Sequence, residues 1–299
     1  MNQNKIFHRN EELRIALSKI KRNVDIIIHP SKLPSSLEYT YNFTNGLILN
    51  AAAVENDIQS TLTTPAVTRL EYIDTFNYWN NSKSIKDFER VFSKKRFQEF
   101  FIRSSSNNTK DYLKLEMLTI DELKQLAELG RQEVLSFPEY LELYKKIRLF
   151  NPDAPKLAID IHKPYLSESV FKELESEGLS DRIYIIMERN LESLSSINKF
   201  LSKKGKNTNI GFVPESNILE YEGVDAFKNC IRSAVVNYEI KTFSIKLSEL
   251  DNVVDELKKT RLKSYSLIVY VPRTENDINF LISKIHSNNN IKAYQVDSK

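Results

Sequence analysis

Short apolar runs rich in β-branched residues alternate with amphipathic stretches along most of this chain. Strands that are apolar on both sides are typical of a parallel sheet covered by helices on both faces. The pattern predicts the α/β class, as one TIM (β/α)₈ barrel over residues 45–299, since 299 residues exceed the roughly 250 that such a barrel needs. The nine predicted strands, eight for the barrel and one accessory, are 46–50, 68–73, 99–103, 156–161, 182–187, 209–213, one within 233–246, 267–271 and 292–296.

Helical periodicity separates these strands. It is clear at 119–129, which opens with Thr119 and Glu122 in capping-box spacing. Residues 1–44 break the rhythm with a helix-like stretch and a strand-like VDIIIH, so we expect an N-terminal extension packed on the barrel. The other predicted helices are 168–177, 191–202, 248–259 and 275–286.

Composition excludes several classes of protein. A net charge of +3 is too small for a chain-wide nucleic-acid footprint, and none of the 6 glycines forms a phosphate-binding loop motif. The single Cys230 excludes internal disulfides and Cys-cluster zinc sites. The first residues lack the apolar core of a secretory signal, and no 18-residue apolar run occurs, so the expected location is cytoplasmic, with no transmembrane segment.

Several segments of the C-terminal half carry a resemblance to a known family. LTIDELKQL followed by SFPEYLELYKKI, then LAIDIHK, then SDRIYIIMERNLESLSSI, keep the order and pattern of the glycerophosphodiester phosphodiesterases. VYVPRTENDINFLIS and IKAYQVDS resemble the closing segments of that family. The resemblance covers about 250 residues from Gly46 onward, and it implies a metal-dependent barrel of the phospholipase C-like type.

The resemblance also implies positions for the site. The family's catalytic H-R-G, at the end of strand one, falls on Asn50-Ala51-Ala52, and the E-N-T after it falls on Glu55-Asn56-Asp57. The E-x-D metal pair at the end of strand two falls on Glu71-Tyr72-Ile73, where the first carboxylate alone is kept. The second catalytic His falls near Arg103-Ser104, and E-I-K becomes Asp160-Ile161-His162.

These matches give two candidate sets. Carboxylates from separate strand ends make an oxygen-rich site for Mg²⁺ or Ca²⁺, whereas an amide and a guanidinium cannot shuttle protons as imidazoles do. Arg103 could still bind a phosphate through its fork of N–H groups. The metal ligands are thus expected to be Glu55, Glu71 and Asp160, and the catalytic positions Asn50, Arg103 and His162.

Each candidate has a structural alternative. Asp160 and His162 share one side of a strand end, which suits either a site or a satisfied pair. Glu71 could be the ion-pair partner of Arg69, and Glu55 could be an exposed glutamate at a helix start.

Two further histidines bear on where strand one lies. His29 could reach the barrel mouth or lie in a capping loop. In a rival register, KIFHRN is strand one and His8 is its catalytic imidazole.

The sequence leaves three alternative functions open. The first is a divergent phosphodiesterase-like barrel with weak or lost hydrolase activity that binds a phosphate- or polyol-bearing small molecule or a protein partner. The second is an active metal-dependent phosphodiester hydrolase with a rearranged acid–base set. The third is a non-catalytic scaffold subunit. Nucleic acid is not an expected partner, and barrels host too many functions for the fold to decide.

Overall fold

Strands and helices alternate through the computed structural model. It describes residues 24–29, 36–68, 72–74, 92, 95, 112–129, 133–163, 166–203, 209–214, 218–260, 262, 264–271 and 275–297. In chain order the elements are β1 (Asp25–His29), α1 (Ser36–Ile48), β2 (Ala53–Gln59), β3 (Ala66–Val67), β4 (Tyr72–Asp74), β5 (Tyr112–Lys114), α2 (Ile120–Leu129), β6 (Leu135–Ser136), α3 (Phe137–Phe150), β7 (Lys156–Ile161), α4 (Leu166–Ser176), β8 (Ile183–Glu188), α5 (Leu191–Lys203), β9 (Ile210–Phe212), α6 (Val224–Tyr238), β10 (Thr242–Lys246), α7 (Leu250–Lys259), β11 (Ser266–Val271), α8 (Glu275–Ser287) and β12 (Ile291–Asp297).

Eight parallel strands close into a barrel. The hydrogen-bonded order is β1, β12, β11, β10, β9, β8, β7 and β2, and the pairing of β1 with β2 closes the ring. A helix follows β1 and each of the strands from β7 to β11, as the right-handed strand–helix–strand connection requires. The predicted TIM (β/α)₈ fold is therefore confirmed.

An apolar layer fills the barrel interior. Its members come from six of the eight strands, and most are no more than 3% exposed, as expected where alternate side chains point inward. The layer consists of Ile27, Ala53, Ala158, Ile185, Met187, Ile268 and Ala293.

The chain divides into two compact units. The first comprises the described residues of Met1–Ser31, Tyr41–Asn56 and Asn151–Lys299, which hold seven barrel strands and the start of β2. The second comprises those of Lys32–Thr40 and Asp57–Phe150. In the second unit β3 pairs antiparallel with the end of β2 and with β6, and β4 pairs with β5 in a sheet of their own.

The second unit has its own core. Leu123 and Ala127 of the amphipathic helix α2 are buried in one cluster with Leu118, which precedes the helix. The predicted capping box is confirmed, since the Thr119 N–H donates to Glu122 Oε2 at 2.8 Å and the Glu122 N–H to Thr119 Oγ1 at 3.2 Å.

The prediction of a strand at 46–50 is wrong. The first three of these residues end helix α1, and the last two form the turn after it. Tyr39, Phe43 and Gly46 are buried at a spacing of three and four residues, which is a helical period. Asn50 follows with φ of 52°, a left-handed conformation that Asn tolerates at a helix end. The apolar GLIL was too short to distinguish a strand from the end of a helix.

The barrel also begins earlier than predicted. β1 pairs with both β2 and β12, so VDIIIH is a barrel strand and not part of an extension. The predicted strands from 156 onward coincide with β7 to β12 within a few residues. Of the segment 68–73, residues Tyr72 and Ile73 belong to β4, whereas segment 99–103 and His8 lie outside the described residues. No helix among the described residues is long and apolar enough to cross a membrane.

Candidate active site at the carboxyl mouth of the barrel

Polar side chains replace apolar ones at the carboxyl end of the barrel interior. Each lies two residues beyond a member of the apolar layer, so it leaves the chain on the same side. Barrel active sites lie at this end, which we call the carboxyl mouth. In the first unit its polar residues include His29 after Ile27, Glu55 after Ala53, Asp160 after Ala158, Arg189 after Met187 and Gln295 after Ala293.

Glu55 is held by a chain of hydrogen bonds across the mouth. It is 3% exposed, and Gln295 Nε2 donates to its Oε2 at 2.9 Å. The Ser244 hydroxyl donates to Gln295 Oε1 at 3.2 Å. Because this bond occupies the amide oxygen, the amide nitrogen is the atom that faces the carboxylate. The position of Glu55 is therefore fixed by strands distant in sequence.

His29 brings an imidazole to the same carboxylate. Its Nε2 lies 3.5 Å from Glu55 Oε2, and the residue is 6% exposed. The ring packs against Tyr270, with 5.1 Å between ring centroids and 59° between the ring planes. The capping loop that the sequence favoured for His29 is therefore wrong, because His29 ends β1 and lies at the barrel mouth.

Asp160 forms a bidentate ion pair. Arg189 Nη1 donates to its Oδ1 at 2.6 Å, and Arg189 Nη2 to its Oδ2 at 2.8 Å. Nη1 also contacts the carbonyl oxygen of Ile161 at 3.4 Å. His162 Nε2 lies 3.5 Å from Asp160 Oδ2. Asp160 is 5% exposed and His162 half-buried, so the structural alternative applies: Asp160 is satisfied by its contacts, and the pair lies at the mouth, where a site role stays a prediction.

Glu188 lies next to the mouth, on the helix side of β8. Its Oε2 accepts a hydrogen bond from Ser167 Oγ at 2.7 Å, and its Oε1 accepts bonds from the N–H groups of Arg189 and Asn190 at 3.1 and 3.3 Å. Burial raises the pKa of Glu188 to about 7, and the like charge of Asp160 adds to the rise although the hydrogen bonds oppose it. This carboxyl group stabilises the first turns of α4 and α5.

The donor set fits a divalent cation in kind. Asp160 and His162 each offer one ligand atom, and these two atoms lie within 4.8 Å of each other. Glu55 accepts a hydrogen bond from the amide of Gln295 and lies beside His29. Carboxylate oxygens of this kind suit Mg²⁺ or Ca²⁺.

Several of the predicted site residues lie elsewhere. Asn50 is exposed in the turn before β2, at the amino end of that strand, so its expected place at the carboxyl mouth is wrong. Glu55 lies in a strand and is buried, which corrects the exposed helix start. Glu71, with its possible partner Arg69, and Arg103 lie outside the described residues.

The structure changes which residues end the first two barrel strands. The first barrel strand, β1, ends at His29, which Pro30 follows in the sequence. The second barrel strand, β2, carries two carboxylates two residues apart, Glu55 and Asp57. Asp57 is buried, and it leaves β2 on the same side as Glu55. E-I-K still coincides with Asp160-Ile161-His162.

Comparison with known proteins supports the fold. A glycerophosphodiester phosphodiesterase candidate from Silicibacter pomeroyi matches with a TM-score of 0.61 at 13% identity, covering 95% of this chain and 93% of that one. The enzyme from Parabacteroides distasonis matches with a TM-score of 0.58 at 12% identity, covering 93% and 94%. The enzyme from Thermotoga maritima matches with a TM-score of 0.51 at 15% identity, covering 93% and 95%.

No family model and no curated protein matches the sequence. At such low identity the structural likeness concerns the fold, and this chain has the (β/α)₈ barrel of the glycerophosphodiester phosphodiesterases. The expected resemblance is confirmed at that level.

Sequence reasoning missed three contributors to the mouth: Arg189, Gln295 and Ser244. Arg189 directly follows the apolar run IYIIME, so a charge at a strand end was a usable signal. Gln295 contacts a residue 240 positions away, and no local pattern indicates such a contact.

Proposed function

We propose that the carboxyl mouth binds a phosphate-bearing polyol of the glycerophosphodiester type together with a divalent cation, and that this chain hydrolyses such diesters weakly. The observation that carries the proposal is the convergence of His29, Glu55, Asp160 and His162 at the end of the barrel where active sites of this fold lie. The diesterases of the same fold support the ligand class.

Glu55 and Asp160, with His162, would hold the cation. Bound Mg²⁺ or Ca²⁺ would neutralise phosphoryl oxygens and lower the cost of charge that develops on them. Among the residues themselves, Gln295 orients Glu55 through its hydrogen bond. Burial at the mouth strengthens each of these interactions relative to water.

We expect weak turnover because this chain lacks several residues of the family's catalytic motifs. The Arg-Gly that follows the family's first catalytic His is absent after His29, and the lysine of E-I-K is His162. Asp160 accepts hydrogen bonds from Arg189 on both of its oxygens. A site altered at several groups is expected to lose at least about 10²-fold in rate, the lower bound for one acid–base group.

A second candidate function is competent hydrolysis with His29 and His162 as the acid–base set. The specific observation in its favour is that each imidazole lies 3.5 Å from a carboxylate oxygen, which can orient it and stabilise its protonated form. One imidazole would remove a proton from the attacking water, and the other would give its proton to the leaving oxygen as the phosphorus–oxygen bond breaks, so that the alcohol departs neutral.

Ligand binding and hydrolysis test these proposals separately. We expect sn-glycerol 3-phosphate with Mg²⁺ to raise the melting temperature of the wild type and of His286→Ala, whose imidazole is exposed on α8. The shift should disappear in Glu55→Gln and His162→Ala. Absence of any shift in the wild type would contradict ligand binding and favour the scaffold or protein-partner alternative.

Release of choline from glycerophosphocholine measures turnover. Weak turnover supports the first proposal. A rate like that of a competent diesterase, retained in His286→Ala and lost in His29→Ala, would instead establish the second.

A further inference from the structure

We propose that Arg189 is a tethered cation that competes with metal ions for Asp160, and so sets how tightly the carboxyl mouth binds Mg²⁺ or Ca²⁺. The inference deepens the proposed function, since it concerns the same metal site. It rests on the geometry of the Arg189 side chain, which directly follows β8, the strand next to β7.

The guanidinium engages both oxygens of Asp160. The two N–O distances are 2.6 and 2.8 Å, each to a different oxygen, so the pair has fork-to-fork geometry. Asp160 is 5% exposed, so water screens this attraction poorly. A divalent ion bound by Asp160 also needs one or both of these oxygens at short range. It must therefore displace the guanidinium or share the carboxylate with it.

Arg189 cannot withdraw by losing its proton. A guanidinium remains charged at every pH that the protein tolerates. Its departure from Asp160 thus requires movement of the whole charged group, and the contact to the Ile161 carbonyl would be lost with it. Displacement costs free energy, which lowers the apparent metal affinity of the wild type.

Arg182 provides a control for the charge of Arg189. Arg182, near the other end of the same strand, pairs with the exposed Asp181 at 3.3 Å and lies at the amino end of the barrel. Its removal alters the net charge of the protein by the same amount. Arg182→Ala is therefore the matched control for Arg189→Ala.

Isothermal titration with MgCl₂, CaCl₂ and MnCl₂ tests the proposal on wild-type protein and variants. We expect Arg189→Ala to bind these ions at least ~10-fold more tightly than the wild type, because a unit positive charge in contact with a ligand is removed. Arg189→Lys, which keeps the charge, should bind less tightly than Arg189→Ala. Arg182→Ala should bind as the wild type does.

Loss of the ion pair leaves a buried carboxylate, so Arg189→Ala could unfold. Arg189→Gln removes the charge and retains one hydrogen-bond donor toward Asp160, and it should show the same gain in affinity. In Asp160→Asn/Arg189→Gln the gain should vanish, because the ligand itself is gone. A larger Ca²⁺-induced rise in melting temperature for Arg189→Gln than for the wild type would confirm the gain by a second readout.

Equal or weaker metal binding in both Arg189→Ala and Arg189→Gln would overturn the inference. So would a gain that persists in the double variant. Its failure differs from failure of the proposed function. If glycerol 3-phosphate never binds but the gain in metal affinity appears, the proposed ligand is wrong and Arg189 remains the competitor. If glycerol 3-phosphate binds and no gain in metal affinity appears, the proposed ligand is right and Arg189 is not a competitor.

Discussion

The buried carboxyl group of Glu188 should make the stability of this protein depend on pH. Burial raises its pKa from the usual 4.5 to about 7. Between these values the unfolded chain has released the proton and the folded chain still holds it. The contribution of protonated Glu188 to the free energy of unfolding is therefore fully present below pH 4.5, and it is lost as the pH rises through about 7.

The size of the loss follows from the pKa. At about 1.4 kcal/mol for each pKa unit, the rise from 4.5 to about 7 corresponds to about 3 kcal/mol of unfolding free energy. Glu188→Gln carries no charge at any pH and has the same shape. Its amide nitrogen can donate to Ser167 Oγ, and its oxygen can accept from the N–H groups of Arg189 and Asn190.

Urea unfolding of both proteins from pH 4.5 to 8 measures the effect. The difference between the stability of Glu188→Gln and that of the wild type should grow by about 3 kcal/mol over this range. Glu192→Gln, on the exposed side of α5, controls for the loss of a carboxylate as such. A difference that stays constant, or that shrinks as the pH rises, would refute the reasoning.

Three further substitutions test other contacts by urea unfolding. Gln295→Ala should lower the unfolding free energy by about 1–3 kcal/mol, because Glu55 loses a buried hydrogen-bond donor; an unchanged value would contradict the network. Gly46→Ala should be destabilising by about 1 kcal/mol despite its better helix propensity, since the new Cβ would lie 2.8 Å from Pro155 Cγ; a gain in stability would show that the ring gives way. Asn50→Ala should cost about 1 kcal/mol through its left-handed backbone yet leave the glycerol 3-phosphate melting shift unchanged; loss of that shift would contradict its placement away from the mouth.

The later strands could be predicted because each is an apolar run that both faces of the sheet bury. β7, for example, has five buried residues of six. β2 could not be predicted, since its central residues Glu55-Asn56-Asp57 are of types that are depleted in strands, although all seven residues of β2 are buried. The last residues of α1 form an apolar run that resembles a strand in sequence, so a strand was predicted there and β2 was missed.

The candidate site was predictable where a titratable side chain lies at the end of a clearly apolar strand. Asp160 and His162 end or follow such a strand, and both were found. Glu55 was found with a wrong local environment, because its burial depends on β1 and β12. Arg189 was not found, since its ion pair is with a residue 29 positions away in sequence.

A crystal of the wild-type protein grown with sn-glycerol 3-phosphate and MnCl₂, measured at wavelengths where Mn and P scatter anomalously, tests the central claim most directly. The account predicts phosphorus at the carboxyl mouth, within contact of the side chains of His29, Asp160, His162 or Arg189, with Mn beside a carboxylate of the same group. Phosphorus bound at the amino end of the barrel or on its outer helices, or a mouth that stays empty at saturating ligand, would contradict it.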